Sequence, residues 1–151
     1  MIRALAESAR ETFRIKCRFK ILGKMPELPA DTTQQLYKIA QESVSNAIKH
    51  GKAKLVLVTL AYDHQQVTLR IKNDGEPFPE QIEPNKRMGL RIMNYRAGML
   101  KGSFTIEPNA DCGSLVTCTI PFVNGAEKEN LSAAAKRSNG AVERKRAAIH
   151  A

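Results

Sequence analysis

Two strand-like segments follow each other with only a two-residue turn between them, and this feature constrains the fold more than any other. Residues 54–62 (KLVLVTLAY) and 65–72 (QQVTLRIK) flank Asp63 and His64 and predict a β-hairpin. A second pair of strands, 103–108 and 113–122, flanks the turn NADCG. Strands that follow each other directly exclude a purely alternating β-α architecture and favour a mixed sheet.

A further strand and three helices complete the predicted domain. Residues 14–22 (RIKCRFKIL) alternate strictly between apolar and cationic side chains, which predicts a half-buried strand with a cationic outer face. Helical periodicity is found in 2–13, 32–50 and 89–102, whereas the Gly-, Pro- and charge-rich stretch 73–86 predicts a loop. This order predicts an α/β two-layer sandwich, in which a mixed β-sheet is covered on one face by helices.

The chain is long enough for one domain and a tail. A length of 151 residues allows one hydrophobic core, which we assign to residues 1–123. From Asn124 onward large apolar side chains are scarce, and Ala, Glu, Lys and Arg dominate. Residues 124–151 are therefore predicted to form a disordered or weakly helical basic tail outside the core.

The positive charge of the chain does not identify its partner. The net charge is +9, and the basic residues are spread over every segment without interleaved aromatic residues or a helix-turn-helix pattern. Specific nucleic-acid binding is therefore not expected, although a phosphate-bearing small ligand would suit the same charge. No run of 18 or more apolar residues and no secretory signal are found, so we expect no membrane contact by this chain.

The cysteines favour a reducing compartment. Cys17, Cys112 and Cys118 are odd in number, have no CxxC spacing and have no histidine nearby. This pattern argues against a zinc site or a disulfide framework and predicts a cytoplasmic protein whose cysteines are small apolar fillers.

One helix carries a polar strip beside its apolar face. In residues 35–51 (QLYKIAQESVSNAIKHG) Glu42, Asn46 and Lys49 share one side, because positions i, i+4 and i+7 lie on the same helical face. Such a strip is either a solvated helix edge or the wall of a site. An amide oxygen and a carboxylate are ligands that Mg²⁺ accepts together with phosphate oxygens and water.

Three further segments have the chemistry of an anion site. Asn73-Asp74-Gly75 follows a strand directly, Gly89 begins a helix, and Gly113-Ser114 opens the last strand. Glycines at such positions let backbone N–H groups approach an anion, and a helix N-terminus favours phosphate.

The ordered set of motifs resembles the ATP-binding domain of sensor histidine kinases. LYKIAQESVSNAIKH resembles the N box of the kinases related to nitrate sensors, and IKNDGEPF stands where the first glycine box falls. MGLRIMNYRAGMLKGSFTIEP and CGSLVTCTIP resemble the second glycine box and the closing box. The resemblance covers about residues 4–122 and implies the Bergerat-type ATP-binding fold shared with gyrase and heat-shock-90 chaperones.

The resemblance also implies roles for individual residues. Asn46 would be the side-chain ligand of Mg²⁺, and Glu42 would be the catalytic residue that polarises a water or the acceptor imidazole. The residues implied to bind ATP are Asn46, Lys49, His50, Asn73, Gly75, Arg87, Gly89, Leu90, Gly113 and Ser114. The family's pattern has an aspartate in place of Asn73, which accepts a hydrogen bond from the adenine amino group, and a glycine in place of Pro77.

The implied function is transfer of the γ-phosphoryl group of ATP, with Mg²⁺ as cofactor, to a histidine in two-component signalling. The histidines are His50, His64 and His150, and none precedes the first strand. The acceptor is therefore expected on a partner or missing dimerisation domain, with a response regulator downstream. Two alternatives stay open: a degenerate nucleotide-binding or docking module, which Asn73 and Pro77 favour, and a serine kinase of the anti-sigma type.

Overall fold

The computed structural model describes residues 1–79 and 84–149. The helices are α1 (Ile2–Phe13), α2 (Ala30–Lys49), α3 (Pro84–Met99) and α4 (Gly125–Ile149). The strands are β1 (Lys16–Leu22), β2 (Leu55–Tyr62), β3 (Gln66–Asn73), β4 (Ser103–Pro108) and β5 (Ser114–Pro121). The first eight elements follow the order that the sequence predicts.

The five strands form one mixed sheet in the order β1-β2-β3-β5-β4. β1 and β2 are parallel, and the other neighbours are antiparallel. Parallel neighbours cannot be joined by a tight turn, and α2 supplies the crossover between β1 and β2. The predicted hairpin of β2 and β3 is confirmed, with Val56 opposite Asn73 and Tyr62 opposite Val67.

One face of the sheet is packed against the helices. The register aligns Phe19, Val58, Ile71, Val116 and Ile106 in one row across all five strands. The helices contribute their apolar sides, and the buried helical residues of the core are Ile2, Ala6, Ala9, Leu36, Ile39, Ala40, Val44, Ala47, Met93 and Ala97. The two-layer arrangement predicted from the sequence is therefore confirmed.

The opposite face of the sheet is open and cationic. Lys16, Arg18 and Lys20 of β1 are exposed there, and so are Arg70 and Lys72 of β3. Because adjacent residues of a strand point to opposite faces, the strict alternation in β1 separates these cations from the core. The cationic outer face predicted for this strand is confirmed.

The predicted end of the loop at residue 86 and the predicted start of the next helix at Gly89 are both wrong. Helix α3 begins at Pro84, so residues 84–86 belong to a helix and not to the predicted loop, whose residues 80–83 lie outside the described part of the chain. Proline is well suited to the first turn of a helix because its fixed φ is helical and its missing N–H would have no helical partner there.

The tail, predicted to be disordered or weakly helical, is helical in the structure. Helix α4 covers Gly125–Ile149, and its composition of Ala, Glu, Lys and Arg explains this, because these residues have high helix propensity. The described residues between Gly125 and Arg144 are exposed except Gly140, and Leu131 and Val142 are 63% and 54% exposed. The helix therefore adds no buried side chain to the core in this stretch.

The cysteines differ in their surroundings. Cys17 and Cys118 are buried, as expected of apolar fillers, and burial raises the pKa of the Cys118 thiol to about 11. Cys112 is exposed, and for this residue the prediction was wrong, because it lies in the turn between β4 and β5. No helix among the described residues is long and apolar enough to cross a membrane.

Removal of residues 124–151 should leave the domain folded. The described side chains of α4 bury almost nothing, so their loss should change the free energy of unfolding by less than about 1 kcal/mol. Urea unfolding of the full chain and of the chain ending at Val123, followed by circular dichroism, would measure the difference. A truncated chain that is unfolded in buffer would show that α4 belongs to the domain.

Candidate functional site

A cavity of about 380 Å³ lies between α2, α3, the end of β3 and the start of β5. Its described lining residues are Glu42, Ser43, Asn46, Ala47, His50, Gly51, Ile71, Asn73, Glu76, Pro77, Phe78, Pro79, Gly89, Met93, Ile106, Ser114 and Val116. The size is in the usual range of small-ligand sites.

The polar wall of the cavity is one side of α2. Glu42, Asn46 and His50 are spaced by four residues and therefore lie one above another on the same helical face. Ser43 is buried beside them, where its hydroxyl donates to the Ile39 carbonyl at 2.8 Å and lies 3.3 Å from the Met93 sulfur. This contact joins α2 to α3 behind the wall.

Lys49 does not line the cavity. The predicted strip continued from Asn46 to Lys49, but the wall continues to His50. From Asn46 the step to His50 turns about 40° toward the side of Ser43 and Ala47, which also line the cavity, whereas the step to Lys49 turns about 60° the other way. Lys49 is exposed at the end of α2. Of the predicted strip, Glu42 and Asn46 line the cavity and Lys49 does not.

Asn73 lies on the opposite side of the cavity from α2. It ends β3 on the same face as Val67, Leu69 and Ile71, because these positions differ by two residues, and it is 8% exposed. Its Oδ1 accepts the backbone N–H of Gly75 at 2.9 Å, and its Nδ2 donates to the Ser114 carbonyl at 3.4 Å. Both ends of the amide are thus held by backbone groups.

Gly113 permits the backbone to pass against Asn73. It has a φ of +70°, which residues other than glycine adopt rarely. A Cβ at this position would lie 2.7 Å from the Asn73 Oδ1. Gly75 also lies outside the lining, and a Cβ there would collide with the Gly51 carbonyl oxygen at the end of α2. Both predicted glycines therefore position the site without facing the cavity.

The α3 side of the cavity is built by Gly89. A Cβ at this position would lie 2.7 Å from the Glu42 Oε1, so glycine lets the carboxylate approach the helix backbone. Leu90 is partly buried and packs on the core instead of lining the cavity. The Arg87 side chain lies outside the described part of the structure, and its predicted role stays a prediction.

The segment after Gly75 lines part of the cavity. The Ser114 hydroxyl accepts the backbone N–H of Phe78 at 2.7 Å, which ties the lining residues Pro77, Phe78 and Pro79 to β5. The family resemblance implies that the loop from 75 to 88 is a lid over the nucleotide, and these three residues of that loop line the cavity. Their proximity depends on β5 lying beside β3, which no local pattern specifies.

The apolar lining residues Ile71 and Val116 were not predicted as site residues, although strand alternation indicates them. Ile71 and Val116 lie two residues before Asn73 and two residues after Ser114, so strand alternation places each on the same face as its polar neighbour. Met93 was predicted to be a core residue, and it is 1% exposed.

Asp74 holds the backbone at the start of β2. Its Oδ1 accepts the backbone N–H groups of Lys54 and Leu55, both at 2.9 Å, at the start of β2. The bond from Leu55 is the largest cause that lowers the pKa of Asp74. Desolvation opposes it, and the bond from Lys54 lowers the pKa further. The carboxylate is therefore a turn and strand anchor, and it does not line the cavity.

The charge in the cavity is acidic. Glu42 and Glu76 are its carboxylates, and Glu76 forms an exposed ion pair of 3.3 Å with Lys52. Among the described lining residues none is Lys or Arg. An anionic ligand would therefore need a cation of its own, together with backbone N–H groups and His50, to be held there.

A match to a protein-family model identifies the family of this chain. The model described as "Histidine kinase-, DNA gyrase B-, and HSP90-like ATPase" matches residues 31–124. The chain belongs to this family. The match includes both polar walls of the cavity, from α2 to the start of β5.

Curated relatives narrow the comparison to sensor kinases. The chain is 31% identical over 112 residues to the nitrate/nitrite sensor protein NarX of Escherichia coli K12, which covers 74% of the chain. It is 29% identical over 114 residues to the histidine-protein kinase/phosphatase DegS of Bacillus subtilis, which covers 72% of the chain. The chain spans only 18% of NarX and 30% of DegS. The resemblance to the nitrate-sensor-related group is therefore confirmed.

Solved structures confirm the fold. The catalytic domain of the histidine kinase ThkA has a TM-score of 0.67 at 21% identity, covering 82% of this chain and 92% of that domain. The ATP-binding domain of PrrB from Mycobacterium tuberculosis has a TM-score of 0.61 at 22% identity, covering 82% of this chain and 91% of that domain.

Replacement of Asp74 by Ala should destabilise the protein in a pH-dependent way. The folded-state pKa is lowered, so the contribution is complete above the ordinary pKa of 3.8 and is lost as the pH falls through the lower folded value. Because the carboxylate is exposed, we expect about 1 kcal/mol or less at neutral pH. Urea unfolding of the parent and the variant from neutral pH to below the ordinary pKa would measure it.

Asp111→Ala is the matched control, because Asp111 is an exposed carboxylate whose ion pair with Lys72 is 3.9 Å long. A difference between Asp74→Ala and the parent that stays constant over the whole pH range would contradict the role of the ionised carboxylate.

Proposed function

We propose that this chain is the catalytic domain of a sensor histidine kinase, which binds ATP with Mg²⁺ and transfers the γ-phosphoryl group to a histidine of another domain. The observation that carries the proposal is the cavity itself. Glu42 and Asn46 of α2 lie on one side, Gly89 lies beside them on α3, and the buried Asn73 lies on the other side. The family and the relatives that it matches support the same activity.

The lining suggests how ATP would be oriented. Ile71, Met93, Ile106 and Val116 form the apolar part, which would bury the base and gain from the removal of its faces from water. Glu42, Asn46 and His50 form the polar part, which would receive the phosphates. Positioning and charge neutralisation are the main contributions of a protein to phosphoryl transfer.

The donor set of the polar part fits Mg²⁺. The Asn46 amide oxygen and the Glu42 carboxylate are hard oxygen donors, and Mg²⁺ commonly uses one or two such groups together with phosphate oxygens and water. Among the described residues there is no cluster of three or more His, Cys, Asp or Glu side chains that would hold a metal alone. When bound, Mg²⁺ would neutralise phosphate charge in a lining that lacks described Lys and Arg residues.

Glu42 is the proposed catalytic residue because it faces two spaces. It lines the cavity and also an open groove between α2 and α3, whose described lining residues are Lys38, Gln41, Glu42, Met88, Gly89, Ile92, Met93 and Arg96. An acceptor imidazole that entered from the groove would meet the carboxylate at the border of the phosphate end. There Glu42 would orient the imidazole and accept its proton.

The histidine-bearing dimerisation domain would bind at the same groove. Met88, Ile92, Tyr95 and Met99 of α3 are between 42% and 68% exposed and recur at helical spacing beside it. The phosphorylated histidine would then supply a response regulator. The proposal places these reactions in the cytoplasm, in a catalytic domain of residues 1–123.

A docking module that binds nucleotide without transfer is the second candidate. Asn73 lacks the charge of the family's aspartate, and Pro77 cannot donate a backbone N–H where it lines the cavity. Nucleotide binding without phosphoryl transfer to any histidine-bearing dimerisation domain would favour this candidate.

Replacement of Asn46 by Ala should weaken Mg-ATP binding and spare the fold. The change removes a metal-coordinating oxygen, so we expect about tenfold weaker binding in the presence of Mg²⁺, which corresponds to roughly 1.4 kcal/mol, and little change without it. Titration calorimetry with and without Mg²⁺ would measure both affinities. Lys49→Ala is the control, because Lys49 lies one turn further along α2 but outside the cavity. Unchanged Mg-ATP affinity in a folded Asn46→Ala chain would remove Asn46 from the site.

Replacement of Glu42 by Gln should slow transfer while preserving ATP binding. The amide keeps the shape of the side chain but cannot accept a proton, so we expect transfer to fall about 10²-fold or more. Labelled-phosphate transfer to histidine-bearing dimerisation domains would measure the rate. Glu76→Gln is the matched control, since Glu76 lines the cavity but forms an exposed ion pair with Lys52. Equal rates for the parent and Glu42→Gln would exclude Glu42 as the base.

A further inference from the structure

The orientation of the Asn73 amide is fixed by two backbone groups of opposite kind. The Gly75 N–H can only donate, so the atom 2.9 Å away from it must be the amide oxygen. The Ser114 carbonyl can only accept, so the atom 3.4 Å away from it must be the amide nitrogen. A side chain that is 8% exposed therefore has a defined donor end and a defined acceptor end at the cavity.

Asn73 retains unused hydrogen-bonding capacity. An amide carries two N–H donors and an oxygen with two lone pairs, and the two backbone partners use one of each. One donor and one acceptor have no partner among the described residues. The neighbouring Ser114 hydroxyl accepts the Phe78 N–H at 2.7 Å and keeps its own O–H as a donor. The other described residues near this end, Ile71 and Val116, offer only apolar side chains to a ligand.

A carboxylate at this position would behave differently. It has acceptors only, so it would favour a base that presents an amino group and would repel one that presents a carbonyl oxygen. Adenine carries an amino group at C6, whereas guanine and hypoxanthine carry an oxygen there. A site that leaves a buried polar group unpaired rejects the ligand strongly, and the amide of Asn73 leaves neither base unpaired.

We infer that Asn73 relaxes base selection, so that the cavity takes 6-oxopurine as well as 6-aminopurine nucleoside triphosphates. The inference rests on the proposed function, because it concerns the base end of the same nucleotide site. The unused acceptor of Asn73 serves the amino group of ATP. The unused donor serves the carbonyl oxygen of ITP or GTP.

The test compares ATP with ITP, because hypoxanthine carries the 6-oxo group without the additional 2-amino group of guanine. Titration calorimetry with Mg²⁺ would give both affinities for the full chain, for Asn73→Asp and for Asn130→Asp. Asn130 is an exposed residue of α4, so Asn130→Asp makes the same chemical change away from the cavity.

The parent should bind ITP within about fivefold of ATP. Asn73→Asp should bind ATP more tightly and ITP more weakly, so that the ATP-to-ITP affinity ratio increases by about tenfold or more. Asn130→Asp should keep the parental ratio. The ATP-to-ITP affinity ratio of the parent tests the inference without any variant. Circular dichroism would establish that Asn73→Asp is folded even though it loses the hydrogen bond to the Ser114 carbonyl.

Each other outcome overturns the inference in a recognisable way. A parent that binds ATP and excludes ITP overturns it and leaves the proposed function intact. An unchanged ratio in folded Asn73→Asp removes Asn73 from base selection. A parent that binds neither nucleotide overturns the proposed function, and the inference with it.

Discussion

The packing of α2 on the inward face of the sheet is the contact on which the candidate site depends. Leu36, Ile39 and Ala40 are fully buried there, and burial of a large aliphatic side chain contributes roughly 1.5–3 kcal/mol. This anchors the first half of the helix and fixes the direction of the second half. At that end the inward face of the sheet carries Asn73 and Ser114 in place of large apolar residues, so the space between the layers stays open as a cavity.

Close backbone approaches then set the shape of the site. Gly113 lets β5 begin directly against Asn73, and Gly89 lets α3 approach the Glu42 carboxylate. A methyl group at either position would move a polar side chain of the cavity by several tenths of an ångström or more, which is enough to disturb a positioned hydrogen bond. The two walls are thus held at their separation by residues that have no side-chain chemistry of their own.

Local patterns predicted the elements of the fold better than their boundaries and contacts. Alternation in residues 14–22 and the turn at Asp63–His64 were sufficient for β1 and the β2–β3 hairpin, because both signals are short-range. The pairing of β3 with β5 is not encoded in either strand, so the hydrogen bond between Phe78 and Ser114 could not be predicted from local patterns, although the family resemblance implied a lid in this loop. For the site, Glu42 and Asn46 followed from helical periodicity. The choice between Lys49 and His50 depended on where the neighbouring walls lie, which a single helix does not reveal.

The distribution of charge has a consequence for the rate of ligand capture. The cations of β1 and β3 lie on the open face of the sheet, on the far side from the helices, while the described lining of the cavity carries carboxylates. With a net charge of +9 the whole molecule attracts an anion from a distance, but this attraction is screened beyond about 8 Å at physiological ionic strength. Added salt should therefore slow nucleotide association, while dissociation, governed by contacts inside the cavity, should change little.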